Sequence, residues 1–174
     1  MEVTGVVLAG GMGRRLGRNK VIEPLGGEPL IDRVIGRLSQ VADRTVVIVN
    51  SRERAHELHV PNDVKVAVDI HPNRATLGGI FTGLSEADTQ WSIVVACDMP
   101  FLNAGLLRKM LELREGYDAV VPIVGGYPEP THAVYSKTCL PAIERKVLAN
   151  DLKIARFFED VRVNFLAEDQ FERL

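Results

Sequence analysis

The most constraining feature of the chain is a glycine-rich, cationic stretch that directly follows an apolar run near the amino terminus. Val6, Val7 and Leu8 are typical of a buried strand. The stretch that follows contains the glycines Gly10, Gly11, Gly13 and Gly17 and the cations Arg14, Arg15, Arg18 and Lys20. Glycine lets backbone N–H groups approach a ligand closely, and a concave row of such groups flanked by Arg and Lys binds anions. The stretch predicts a polyphosphate site; the alternative is a flexible glycine turn with solvated cations.

Two common phosphate-binding loops do not fit this stretch. The dinucleotide pattern Gly-x-Gly-x-x-Gly, begun at Gly11, requires a third glycine where the chain has Leu16. That pattern also expects an acidic residue at the end of the second strand, which here is Asn50. The P-loop pattern requires Ser or Thr after its lysine, but Lys20 is followed by Val21. The loop therefore belongs to a third type.

Length and composition describe an ordinary globular chain. With 174 residues, 46% hydrophobic and 25% charged, we expect a single domain over residues 1–174. The net charge is −2 and no basic run stands out, which argues against a nucleic-acid-binding protein. No apolar run is long enough to span a bilayer, and the amino terminus has no signal-peptide layout. We therefore expect a cytoplasmic protein without membrane contact.

Apolar strand patterns alternate with helical patterns along the first two-thirds of the chain. The predicted strands lie at residues 45–49, 64–68, 91–96 and 119–123, and the main helices at residues 30–41, 78–84 and 104–114. Residues 131–135 are predicted to return as an antiparallel edge strand or hairpin, and residues 161–165 as a late strand. This order predicts an α/β fold: one doubly wound, Rossmann-like, mostly parallel sheet with an antiparallel edge hairpin.

Chemically useful residues follow four of the predicted parallel strands. In chain order, these strand ends carry Leu8-Ala9-Gly10, Asn50, Asp69 and Asp98. Ligands of doubly wound sheets bind beyond the carboxyl ends of the strands. We therefore expect these residues, distant in sequence, to meet at one rim of the sheet.

Each polar residue of this rim has a functional and a structural interpretation. Asp98 is predicted to be a Mg²⁺ ligand, because carboxylate oxygen suits that ion; the alternative is an aspartate that caps a helix. Asp69 could bind a base or the water shell of the metal, or be a solvated loop acid. Asn50 could bind a nucleobase edge or ribose, or be a turn former.

Two cations of the glycine-rich stretch are predicted to be catalytic. Arg15 and Lys20 would neutralise negative charge on the β- and γ-phosphates as pyrophosphate leaves, which is where charge grows in the transition state. An acceptor phosphate is already ionised near pH 7, so no general base is required. In addition, His132 is a candidate for acceptor contact, and residues 70–76 are expected to form a mobile loop.

Several segments together resemble the molybdenum cofactor guanylyltransferase family of MobA-like nucleotidyltransferases. The matching pieces, in the order of the family, are Leu8-Ala9-Gly10-Gly11 through Lys20, Pro24-Leu25-Gly26-Gly27-Glu28-Pro29-Leu30, Val47-Ile48-Val49-Asn50, Val68-Asp69, Leu77-Gly78-Gly79-Ile80, Cys97-Asp98-Met99-Pro100-Phe101-Leu102 and Pro130-Thr131-His132-Ala133-Val134-Tyr135. These segments cover roughly residues 4–150.

The resemblance implies transfer of GMP from GTP to a phosphorylated molybdenum cofactor, with release of pyrophosphate and dependence on Mg²⁺. By match, nucleotide contacts fall on Leu8, Ala9, Gly10, Gly11, Lys20, Asn50 and Asp69, and Asp98 binds both nucleotide and metal. GTP and the cofactor are the expected small-molecule partners. Transient contact with proteins that donate or accept the cofactor is also expected.

The chain departs from the family pattern at three places. It has Asn19 where Asp often precedes the loop lysine, Ala75-Thr76 where Gly-Pro is usual, and no closing Asn-x-Asn-Thr-Pro-Glu run. These departures leave the acceptor less defined than the nucleotide. Transfer from CTP, transfer of GMP to another phosphorylated cofactor precursor, and a non-catalytic GTP-binding protein therefore stay open as alternatives.

Overall fold

The fold is an α/β sandwich built on one large sheet. The computed structural model describes residues 2–10 and 24–171. Its strands are β1 (Val3–Leu8), β2 (Pro24–Leu25), β3 (Glu28–Pro29), β4 (Arg44–Val49), β5 (Val64–Val68), β6 (Trp91–Ala96), β7 (Ala119–Val124), β8 (Tyr127–Pro128), β9 (His132–Ser136) and β10 (Val163–Leu166). Its α-helices are α1 (Leu30–Leu38), α2 (Arg52–Glu57), α3 (Ala75–Glu86), α4 (Ala104–Glu112), α5 (Leu140–Leu148) and α6 (Ile154–Phe157).

The main sheet is mostly parallel and runs in the order β10-β7-β9-β6-β1-β4-β5, with β8 paired to β7. The first strand lies between β6 and β4, and its last residue, Leu8, is in register with both Ala96 and Ile48. Val49 of β4 is in register with Val68 of β5. The carboxyl ends of these four strands therefore lie along one edge, as predicted for a doubly wound sheet.

The strands are apolar along their length because helices cover both faces of the sheet. On one face, Val7, Val47 and Val95 belong to a core cluster with residues of α1 and α4. On the other face, Val6 and Ile48 belong to a second cluster with residues of α3 and α5. Alternate side chains of each strand thus enter two separate cores, and this fixes the face on which each rim residue lies.

Strand β9 returns antiparallel along β7, as the predicted hairpin requires, but it is not at the edge of the sheet. It lies between β6 and β7 and is antiparallel to both. Ala133, Val134 and Tyr135 are completely buried, which requires cover on both faces and a neighbour on each side. The predicted hairpin at Gly125-Gly126 is present, but it joins β7 to the short strand β8. In the described ranges, no helix combines the length and apolar character needed to cross a membrane.

Candidate active site

The end of β1 is held between its two neighbours at the centre of the rim. Cys97 N–H donates to the Leu8 carbonyl at 3.1 Å, and Ala9 N–H donates to the Ile48 carbonyl at 2.8 Å. Gly10 then passes close to Asn50, because a Cβ added at Gly10 would lie 3.5 Å from the Asn50 backbone nitrogen. The structure thus brings these predicted nucleotide-binding residues together; Gly11, Arg15 and Lys20 lie outside the described residues.

The turn after β4 is capped by a residue other than Asn50. Ser51 is the N-cap of α2, and its side-chain oxygen accepts a hydrogen bond from Arg54 N–H at 3.3 Å. The local role that turn-forming residues usually take is therefore filled by Ser51. Asn50 itself is half-buried beside Gly10, a position in which its amide can face a ligand on the rim.

Asp69 joins the end of β5 to α3. Its Oδ1 atom accepts hydrogen bonds from Thr82 Oγ1 at 2.7 Å and from His71 N–H at 2.9 Å. Thr82 Oγ1 in turn accepts from Ile70 N–H at 2.9 Å, and Thr82 is completely buried. One carboxylate oxygen is therefore committed to the fold and fixes the direction of the other, Oδ2. Asp69 is thus part of a partly buried polar network and not a loosely solvated loop acid.

Thr82 is the residue of this network that sequence reasoning missed. It lies in an apolar, glycine-rich helix, and a buried hydroxyl in such a helix needs a hydrogen-bond partner. This requirement is the sequence feature from which a polar contact of Thr82 could have been predicted. The partner, Asp69, could not be identified because it lies 13 residues away, on another element.

Small residues let the start of α3 approach the rim closely. A Cβ at Gly79 would lie 3.3 Å from Leu8 Cδ2, and a Cβ at Gly78 would lie 2.7 Å from the His71 carbonyl oxygen. The loop before α3, expected to be mobile, is tied down on two sides. The His71 and Phe81 rings are 5.1 Å apart, and the Arg74 guanidinium contacts the Asn150 side chain.

Asp98 is exposed at the rim, directly after Cys97, whose N–H is bonded to the end of β1. The alternative role for Asp98 was that of a helix cap, but the N-cap of α4 is Asn103. The Asn103 Oδ1 atom accepts hydrogen bonds from Gly105 N–H at 2.8 Å and Leu106 N–H at 3.3 Å. The Asp98 carboxylate is therefore not used to start α4, and it lies beside the end of β1.

The side chains around Asp98 bear on how a divalent metal ion could bind. Within residues 2–10 and 24–171, no cluster of three or more His, Cys, Asp or Glu side chains could hold a metal. A closed, all-protein metal cage is therefore absent from the described part of the chain. Mg²⁺ commonly binds to one or two carboxylates and takes its remaining ligands from water and substrate phosphates. A lone rim carboxylate such as Asp98 suits that manner of binding.

His132 lies on the rim one strand beyond Asp98. It is in register with Val95 of β6, and its backbone N–H donates to the Glu129 carbonyl at 3.1 Å. Its side-chain Nε2 is buried and has no hydrogen-bond partner among the described residues. Burial lowers the pKa of this imidazole below its usual value, because the charged form loses solvation. Burial therefore favours the neutral form of the ring.

Comparison with known proteins finds a matching protein family and similar relatives. Residues 5–165 match the MobA-like NTP transferase domain. A probable molybdenum cofactor guanylyltransferase of Pelotomaculum thermopropionicum is 38% identical over 174 residues, which are 100% of this chain and 83% of the relative. The crystal structure of molybdopterin-guanine dinucleotide biosynthesis protein A from Archaeoglobus fulgidus is similar with a TM-score of 0.84 and 28% identity, covering 98% of this chain and 86% of that protein.

A more distant structure shares the fold alone. It is a Mycobacterium tuberculosis H37Rv protein determined in complex with manganese. Its TM-score is 0.71 at 18% identity, and the match covers 95% of this chain and 87% of that protein.

Proposed function

Because the chain belongs to the family of MobA-like NTP transferase domains, we propose that it transfers GMP from GTP to a phosphorylated molybdenum cofactor. The observation that carries the proposal is the rim itself. Asp98, the end of β1, Asn50 and Asp69 follow four neighbouring strands at the same sheet edge. Similarity to the Pelotomaculum guanylyltransferase over 100% of the chain supports GTP as the nucleotide and the cofactor as the acceptor.

The reaction needs positioning and charge neutralisation more than proton transfer. An oxygen of the acceptor phosphate attacks the α-phosphorus of GTP, and the bond from that phosphorus to the bridging oxygen breaks. Pyrophosphate leaves with the electron pair of the broken bond. Because the attacking phosphate is already ionised near pH 7, no side chain has to remove a proton.

The proposed residue roles follow the rim. Backbone groups of Leu8, Ala9, Gly10 and Gly11 cradle the triphosphate. Asn50 and the free oxygen of Asp69 bind the nucleoside, and Arg15 and Lys20 neutralise the departing pyrophosphate. Asp98 holds Mg²⁺, which when bound supplies positive charge between nucleotide and protein. A mycobacterial protein with this fold was determined in complex with manganese, which supports the use of a divalent ion.

An Asp98→Asn variant tests the proposal. Pyrophosphate release is measured with the cofactor as acceptor and with GTP, CTP, ATP or UTP in the presence of Mg²⁺. The wild type should be active with GTP, and the variant should lose at least about 100-fold in kcat, since transition-state charge then lacks its metal. Asp98 is exposed, so the melting temperature should stay nearly unchanged.

Asp63→Asn is the matched control. Asp63 is also an exposed aspartate, but it immediately precedes β5 and lies at the opposite edge of the sheet. It should keep full activity. A preference for CTP would show that the protein transfers CMP and not GMP. GTP binding without pyrophosphate release would indicate a non-catalytic protein. An active Asp98→Asn variant would exclude Asp98 as the metal ligand.

A further inference from the structure

The half of the rim beyond Asp98 has no residue assigned to the nucleotide. The nucleotide residues belong to β1, β4 and β5, on one side of β6, whereas β9 and β7 follow on its other side. Neighbouring strands are about 4.8 Å apart, so β9 and β7 lie roughly 5 and 10 Å from β6. This half of the rim is wide enough for a bicyclic ring next to the reaction centre.

Two exposed aromatic side chains stand on this half of the rim. Phe101 is 79% exposed and Tyr127 is 75% exposed, more than the other large hydrophobic side chains of the described residues. Phe101 follows Asp98 by three residues and precedes α4. Tyr127 follows the Gly125-Gly126 turn and is paired with Val124, the last residue of β7.

Both aromatic residues lie on the side of the sheet that α4 covers. Val120 belongs to the core cluster that includes α4, whereas Val121 belongs to the other cluster. Side chains alternate along a strand and paired residues share a face, so Val124 and its partner Tyr127 are on the α4 side. Phe101 lies in the segment between β6 and α4, and this segment is on the same side because its residues Met99 and Leu102 pack in the cluster that includes α4.

The strand between the two aromatic residues shows which groups this surface offers to a ligand. His132 begins β9, the strand between β6 and β7, and Val134, two residues along, belongs to the core cluster of the α4 side. The Nε2 atom of His132 is enclosed, so a ligand on the rim would meet the aromatic faces and not this nitrogen. Exposed aromatic faces suit a flat heterocycle better than an aliphatic chain.

We propose that Phe101 and Tyr127 stack against the pterin ring of the acceptor and thereby position its phosphate at the rim. This inference rests on the proposed function, which makes a pterin the acceptor. The two residues bind the acceptor and are not needed to bind GTP. They set the affinity for the acceptor, whereas the rate of transfer depends on the groups around the triphosphate.

Alanine variants of the two residues test this assignment by the kinetics of pyrophosphate release. Phe101→Ala and Tyr127→Ala should each raise the KM for the molybdenum cofactor about tenfold, with kcat and the KM for GTP nearly unchanged, because stacking on an aromatic side chain is lost. Phe101→Trp and Tyr127→Phe keep an aromatic face and should retain the wild-type KM. Tyr117→Ala is the control: Tyr117 is 40% exposed and lies just before β7, at the opposite edge of the sheet.

A binding measurement separates this inference from the proposed function. Fluorescence of 6-hydroxymethylpterin should be quenched by the wild type and the aromatic variants, and markedly less by either alanine variant. Equal quenching by all variants, or an unchanged KM for the cofactor, would overturn the stacking role. Equal loss of GTP and pterin binding in the alanine variants would also overturn it. A wild type that binds the pterin but releases no pyrophosphate with any nucleotide would instead refute the proposed function.

Discussion

The close contact between α3 and β1 makes a sharp prediction about glycine 83. A Cβ added at Gly83 would lie 2.4 Å from Val6 Cγ1, and Val6 is completely buried. Normal carbon–carbon contacts are about 3.5–4.0 Å, so the helix or the strand would have to move by roughly 1 Å. The same helix carries Gly79 next to Leu8 and Thr82 bonded to Asp69, so movement there reaches the site.

The expected change in the free energy of unfolding of Gly83→Ala is the sum of two opposing contributions. Replacing glycine by alanine inside a helix stabilises by about 1 kcal/mol. Overpacking a tight interior costs about 1–3 kcal/mol. Gly83→Ala should therefore destabilise the protein by up to about 2 kcal/mol, which for a chain of this length lowers the melting temperature by up to about 8 °C.

Gly36→Ala is the matched control. Gly36 lies inside α1, and a Cβ there would meet nothing within 4 Å. This variant should gain the full helix contribution of about 1 kcal/mol and melt about 2–4 °C higher than the wild type. Both variants are compared by thermal and urea unfolding, monitored by circular dichroism.

A double variant tests the assigned contact directly. In Gly83→Ala/Val6→Ala, the added methyl group meets a smaller side chain, so the clash is relieved. The loss of unfolding free energy in the double variant should therefore be about 1 kcal/mol smaller than the sum of the losses in the two single variants. If Gly83→Ala stabilises the protein as much as Gly36→Ala, or if the two changes are additive, the reasoning from close packing is wrong.

Two further variants test particular backbone and charge arrangements. Ala75 begins α3 with φ at 50°, a left-handed conformation that costs a non-glycine residue about 1–2 kcal/mol. Ala75→Gly should therefore raise the free energy of unfolding, measured in urea, by up to about 1 kcal/mol. A lower free energy of unfolding would contradict that backbone conformation. Hydrogen bonds from Arg162 and Thr138 hold the pKa of Asp118 at about 2, below its usual 3.8. Since the folded-state pKa is depressed, this stabilisation is present above about pH 4 and is lost as the pH falls towards 2. Asp118→Asn should therefore lower stability at pH 6 and differ little from the wild type near pH 2; an equal difference at both pH values would exclude the ion pair as its cause.

The departures from the family pattern acquire a structural meaning at Ala75. The usual glycine at this position tolerates a positive φ without strain, and the chain adopts that backbone conformation with alanine. The structure therefore shows a left-handed backbone at the position where the family pattern usually has glycine.

Local pattern was sufficient for the main strands and helices and for the edge of the sheet at which the candidate site residues lie, but not for the short strands β2, β3 and β8. Strand and helix periodicities depend on neighbouring residues, and parallel strands necessarily end on the same edge. This is why Asn50, Asp69 and Asp98 could be assigned to one rim before any coordinates were known. The family resemblance, confirmed by the match over residues 5–165, came from the same local motifs.

Tertiary structure decided everything that depends on which distant segments meet. Strand β9 was expected as a hairpin or an antiparallel edge strand, and it lies between β6 and β7. Its partners in these two strands are 37–45 and 14–16 residues upstream, and no local pattern encodes the more distant pairing. The bond between Thr82 and Asp69 and the exposure of Phe101 and Tyr127 also depend on tertiary packing. The sequence thus determined the main elements and the kinds of side chain that follow the strands at the rim, because both depend on residues that are close together in the chain. Strand order and side-chain partners arise only from packing between segments far apart in the chain.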